Sequence, residues 1–142
     1  MVATDCCCCL HIDLRLAAFV ISFVELCAGV GYLGTGIFWG NITIAACAGI
    51  GSVFLFYGAL KYSQTATKLH LYANMIQMIF HIISGIFICV NHKEKARNPD
   101  EERIELSGGL SYFPGALISL YFWLIVYGFW KGIEAGRIPS PA

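Results

Sequence analysis

The stretch LHLYANMIQMIFHIISGIFICV, residues 69–90, contains no Asp, Glu, Lys or Arg. A helix needs about 20 apolar residues to cross the hydrocarbon core of a bilayer, and this stretch is long enough. Its polar residues, His70, Asn74, Gln77, His81 and Ser84, recur at steps of four and three. That spacing places them on one stripe of a helix. A polar stripe cannot face lipid, so other helices must cover it. The segment therefore predicts a helical bundle inside a membrane.

Three further windows have the same character: residues 16–38, interrupted by Glu25; residues 42–60, without an ionisable acid or base; and residues 109–130, with Pro114 near the start. The chain of 142 residues is 58% hydrophobic and 13% charged. A soluble domain carries about a quarter charged residues, because a small globule must cover much surface with water-compatible groups. The pattern predicts an all-α membrane protein of one domain, a four-transmembrane-helix up-down antiparallel bundle. Met1 to Asp5 lacks a basic leader and the first window is too long for a signal-peptide core, so that window is expected to stay as an anchor.

The connections differ. Trp39-Gly40-Asn41 is expected to close a tight hairpin, and residues 61–68 a short polar link. Residues 91–107, rich in both charge signs, read as a mobile polar loop, with a tail over 131–142. Asn41-Ile42-Thr43 has the glycosylation spacing, next to the membrane. Lys and Arg number five on the side of the termini (Arg15, Lys61, Lys68, Lys131, Arg137) and four on the other. Five against four decides little by itself, and agrees with the cytosolic termini that acylation of Cys6 to Cys9 would imply.

Cys6, Cys7, Cys8 and Cys9 precede the first span. Neighbouring cysteines rarely bridge, and Cys27, Cys47 and Cys89 fall inside spans. Cys6 and Cys9 with His11 make a partial zinc set, but closed zinc sites usually take two separated ligand pairs. Juxtamembrane cysteines are acceptors for palmitoylation on the cytosolic face, which makes these four lipidation candidates. Small apolar residues seated at the interface are the bland alternative.

Glu25 falls near the middle of the first span, where a bare carboxylate costs about 2.5–3.5 kcal/mol even on lenient scales. It is expected to face the bundle and join the polar seam of His70, Asn74, Gln77, His81 and Ser84. Such a seam fixes helix register; a proton or ion relay through Glu25, Gln77 and His81 is the functional alternative. Gly36 and Gly40, a G-x-x-x-G pair, are expected to pack closely on Ala45 and Gly49 of the second span. Self-association through that pair, giving a homo-oligomer, is the rival use. Trp39 and Trp130 sit where an interfacial aromatic belt belongs.

No nucleophile elbow, P-loop, H-E-x-x-H or dinucleotide fingerprint occurs, and the polar segments are too short for a soluble catalytic domain. The expectation is no enzyme, no cofactor and no metal, and zero net charge gives no argument for nucleic acid.

The start Cys6-Cys7-Cys8-Cys9-Leu10 resembles that of the lysosome-associated transmembrane (LAPTM-like) proteins. Tyr121-Phe122-Trp123-Leu124-Ile125-Val126-Tyr127-Gly128-Phe129-Trp130-Lys131 is similar to the closing segment of their insect Pasiflora-type four-span relatives. The resemblance implies an endolysosomal adaptor or a junction-associated plasma-membrane protein. The tail from Gly132 has no tyrosine, hence none of the Pro-Pro-x-Tyr motifs of the vertebrate lysosomal members, and the insect-type reading gains. The expected role is a non-catalytic organiser or adaptor whose partners are membrane lipids and other integral membrane proteins. The rival is a small transporter or channel subunit using Glu25 and His81.

Overall fold

The computed structural model describes residues 13–34, 39–95 and 98–138. Four helices follow in order: α1 Leu14–Gly34, α2 Trp39–Lys61, α3 Gln64–Lys95 and α4 Pro99–Glu134. Neighbours in sequence are neighbours in space. α3 and α4 share the most extensive contact, α1 and α4 the thinnest, and the ring closes in the order α1, α2, α3, α4. This is the expected up-down bundle.

Each end of the bundle is built from local chemistry. At the end where α1 begins, the Arg15 Nε donates to the Ala59 carbonyl at 3.1 Å. Its guanidinium also lies 4.5 Å from the centre of the Tyr62 ring, stapling α1 to the α2–α3 turn. Tyr62 takes a left-handed φ of 54°. The Ser63 amide then reaches back to the Gly58 carbonyl, which closes α2. Ser63 also opens α3, its hydroxyl accepting from the Ala66 amide at 3.3 Å. At the end of α4, Gly136 has φ 64°. The turn it permits lets the Arg137 and Ile138 amides bond the Gly132 carbonyl.

The link between α3 and α4 departs from expectation. Residues 91–95 continue α3, and residues 99–107 already belong to α4, so no long polar loop is formed. The cause is local. Asn98 caps α4, its side chain accepting from the Glu101 amide at 2.8 Å; Pro99 stands in the first turn; Asp100, Glu101 and Glu102 complement the positive helix end. At 1.5 Å per residue, the 36 residues of α4 run far beyond the thickness of a bilayer core. Its charged first turns therefore stand outside the membrane. The tail is also shorter than expected, because α4 runs to Glu134.

Interior packing relies on small residues. A Cβ built on Gly29 of α1 would lie 3.2 Å from the Ala48 Cβ and 3.3 Å from the Ala45 carbonyl oxygen. The close approach of α1 and α2 thus runs through Gly29, with Ala45 and Ala48 buried opposite. Gly40 is buried as well. A Cβ on Gly49 would meet nothing within 4 Å, but its backbone nitrogen lies 3.7 Å from the Cβ position of Gly29, so Gly49 joins this approach through its backbone. Gly36 lies outside the described residues.

Outward, the helices are apolar. Only 28–44% of each candidate span is buried inside the bundle. Phe23, Val30, Val53, Phe56, Ile83 and Leu117 are all more than half exposed. A water-soluble bundle would cover such side chains, whereas hydrocarbon solvates them without penalty. Trp39 is 82% exposed at the start of α2. Trp130 stands at the opposite end with Lys68 and Lys131 over its ring, in keeping with an interfacial belt.

Candidate functional site

All five residues of the α3 stripe, His70, Asn74, Gln77, His81 and Ser84, are buried, and Glu25 of α1 is buried with them. The 3.6-residue period of α3 turns the stripe inward. The structure resolves the seam into two nodes rather than one chain.

In the first node, the Asn74 Nδ2 donates to the Glu25 Oε1 at 2.7 Å across the bundle. His70, one helical turn before Asn74, brings its Nδ1 to 3.5 Å from the Glu25 Oε2. The same Nδ1 lies 3.0 Å from the Gly51 carbonyl oxygen of α2. A carbonyl can only accept, so Nδ1 carries the hydrogen and the neutral ring has its lone pair on Nε2. The missing side chain of Gly51 makes this approach feasible, since a Cβ there would lie 3.3 Å from the imidazole Nδ1.

The second node is nearer the other end of the bundle. The His81 Nδ1 lies 2.9 Å from the Gln77 carbonyl oxygen, which again puts the hydrogen on Nδ1. The Tyr32 hydroxyl therefore donates to the His81 Nε2, at 2.8 Å. Tyr112 of α4 packs beside both rings and donates its hydroxyl to the Asn41 Oδ1 of α2. Gly115 leaves room for the histidine, because a Cβ there would lie 2.8 Å from the His81 Cδ2. Asn41 is thus a buried helical residue with an engaged side chain, an arrangement at odds with a glycan acceptor. Tyr32→Phe removes the part-buried hydrogen bond to His81 and should lower stability by about 1 kcal/mol, read from the unfolding midpoint in detergent. An unchanged midpoint would mean that the pair does not hold α1 to α3.

Glu25 and His81 are therefore not joined, and Gln77 serves His81 through its backbone carbonyl. Tyr32, Asn41 and Tyr112 were absent from the expected seam. A signal for Tyr32 existed: Ala18, Ser22, Glu25, Gly29 and Tyr32 follow the same four-three spacing. Cys6, Cys7, Cys8 and Cys9 lie outside the described residues. Among the described residues no group of three or more His, Cys, Asp or Glu side chains is placed to hold a metal ion.

Apolar helices of spanning length, with polar groups turned inward, define an integral multi-pass membrane protein. No protein-family model, no curated protein and no solved structure matches the chain.

Proposed function

We propose that this protein is a non-catalytic membrane organiser or adaptor, engaging other integral membrane proteins along its helix faces. One observation carries the reading. The polar side chains of the seam are buried inside the bundle, while its outer faces are apolar and grooved. One groove of about 310 Å³ lies between α1 and α2 and is lined by Phe19, Ser22, Phe23, Leu26, Ser52, Val53 and Phe56. A neighbouring transmembrane helix fits such a groove by van der Waals packing. Membrane lipids fill it when no partner does. The resemblance of the two chain ends to LAPTM-like and Pasiflora-type proteins favours a cell junction, or an endolysosomal membrane, as the place of work.

Cytosolic termini are part of the proposal. Arg15, Lys61, Lys68, Lys131 and Arg137 gather at one end of the bundle, and Lys or Arg in short segments favour the cytosolic side. Acylation of Cys6 to Cys9 would anchor the same end. Hydroxylamine-sensitive acyl labelling, compared with a variant lacking these four cysteines, tests that; equal labelling would remove it.

The organiser reading is tested by a photo-crosslinking residue at Phe23, on the groove. A discrete integral membrane protein should be captured, and Phe56→Ala should weaken the capture. Crosslinks to lipid alone would overturn the reading. The transporter alternative is favoured by the ionisable residues inside the bundle. It requires pH-dependent flux in liposomes that Glu25→Gln abolishes.

A further inference from the structure

Among the described residues, four buried side-chain polar atoms have no hydrogen-bond partner: the Glu25 Oε2, the His70 Nε2, the Asn74 Oδ1 and the Trp123 Nε1. The first three belong to one node, whose members are almost wholly buried, with exposures of 3% for Glu25, 0% for His70 and 1% for Asn74. The three residues are joined through other atoms, the Asn74 Nδ2 to the Glu25 Oε1 at 2.7 Å and the His70 Nδ1 to the Glu25 Oε2 at 3.5 Å. Such unpartnered atoms are rare in folded proteins, and each calls for a physical explanation, a bound water or ion among them.

The chemistry of the three atoms limits that partner. The Glu25 Oε2 and the Asn74 Oδ1 are acceptors. So is the His70 Nε2, because the Gly51 carbonyl holds the ring hydrogen on Nδ1. Beyond the second N–H of the Asn74 amide, the node offers lone pairs and a carboxylate. Nearby hydroxyls do not supply a hydrogen: the Ser22 and Ser52 protons go to the Phe19 and Gly49 carbonyls of their own helices. The basic Arg15 is engaged at the bundle end with the Ala59 carbonyl. Charging His70 would give Glu25 a counter-ion, but it would create a buried N–H donor at Nε2 facing no acceptor.

We propose that the Glu25–His70–Asn74 node binds a small monovalent cation, with Na⁺ as the working ion. The Glu25 Oε2 and the Asn74 Oδ1 are hard oxygen ligands, and the single negative charge matches a single positive one, so the occupied node is neutral inside the membrane. Water carried by the ion supplies the hydrogen that the His70 Nε2 requires. A divalent ion would leave the site net positive in hydrocarbon. Zinc is unsuited to one carboxylate, one imidazole and an amide. Bound between α1 and α3, the cation ties together helices that do not touch through their backbones.

The test uses the full chain in zwitterionic nanodiscs, with choline replacing Na⁺ at constant ionic strength. ²²Na⁺ should bind saturably and be displaced by unlabelled Na⁺. Glu25→Gln should reduce binding about tenfold or more, and Glu134→Gln at the exposed end of α4 should leave it unchanged. A second measurement needs no variant. A hydrophobic carbodiimide modifies carboxyl groups within the membrane, and saturating Na⁺, but not choline, should slow modification of the Glu25 peptide about tenfold, in proportion to site occupancy. Absence of saturable ²²Na⁺ binding above empty nanodiscs would overturn the proposal, leaving the node neutralised by a proton. Equal binding by a folded Glu25→Gln, or no protection from the carbodiimide, would overturn it too.

Discussion

Alanine at position 58 should destabilise the bundle by about 2–3 kcal/mol, although the change adds only one methyl group. The new Cβ would lie 2.6 Å from the Thr67 Oγ1, 3.1 Å from the Thr67 amide nitrogen and 3.4 Å from its Cα. The hydroxyl cannot yield freely, because it donates to the Ser63 carbonyl at 2.9 Å in a fully buried site. The backbone cannot yield either, since the Gly58 carbonyl and the Ser63 amide form the bond that closes α2. Overpacking at such a contact costs about 1–3 kcal/mol, and the upper part of that range applies where backbone must move. Gly128→Ala provides the opposite case. Nothing lies within 4 Å of a Cβ there, so the better helix former should gain up to about 1 kcal/mol. Unfolding midpoints in mixed micelles should move in opposite directions. Equal shifts would mean that α2 and α3 do not approach as closely as described.

Asn74→Ala should lower stability by about 2 kcal/mol, whereas Glu25→Gln should change it by less than about 1 kcal/mol. The alanine removes the donor to the Glu25 carboxyl and leaves that group without its 2.7 Å partner. Interhelical hydrogen bonds in membranes average only about 0.6 kcal/mol, with a maximum near 1.7. A carboxylate acceptor raises the value, as does loss of a partner for a buried acid. Glutamine keeps an oxygen for Asn74 and sheds the charge, so the losses and gains nearly cancel. A double-mutant cycle between Asn74→Ala and Glu25→Ala should show coupling of about 1–2 kcal/mol. Coupling below about 0.5 kcal/mol would mean that this bond is not what joins α1 to α3.

The contrast between these positions explains what could be read in advance. Glu25 and the stripe from His70 to Ser84 were legible because period and solvent alone decide their direction: a polar group in a spanning helix must turn inward. The contact glycines were not. Gly29, Gly58 and Gly115 are packed against neighbouring helices while a Cβ on Gly31, Gly34 or Gly128 would meet open space, and the residue type is the same in both sets. The Gly36–Gly40 spacing drew attention to a motif, whereas the contact on Ala45 and Ala48 runs through Gly29, one turn after Glu25 on the same stripe. The polar stretch over 91–107 was misread for another reason. Its charge suggested a loop, but Asn98-Pro99-Asp100-Glu101-Glu102 is a helix start, and local capping outweighs average polarity.

The sequence by itself determined the solvent, the number of helices and the inward face of Glu25 and of the α3 stripe. Those follow from hydropathy and a 3.6-residue period, which are local properties. Only the tertiary structure decided which polar residues meet: Glu25 with Asn74 and His70, His81 with Tyr32, Asn41 with Tyr112. Those pairings depend on how far each helix slides along its neighbour, and that register is set where glycines let backbones touch, at contacts between residues far apart in the chain.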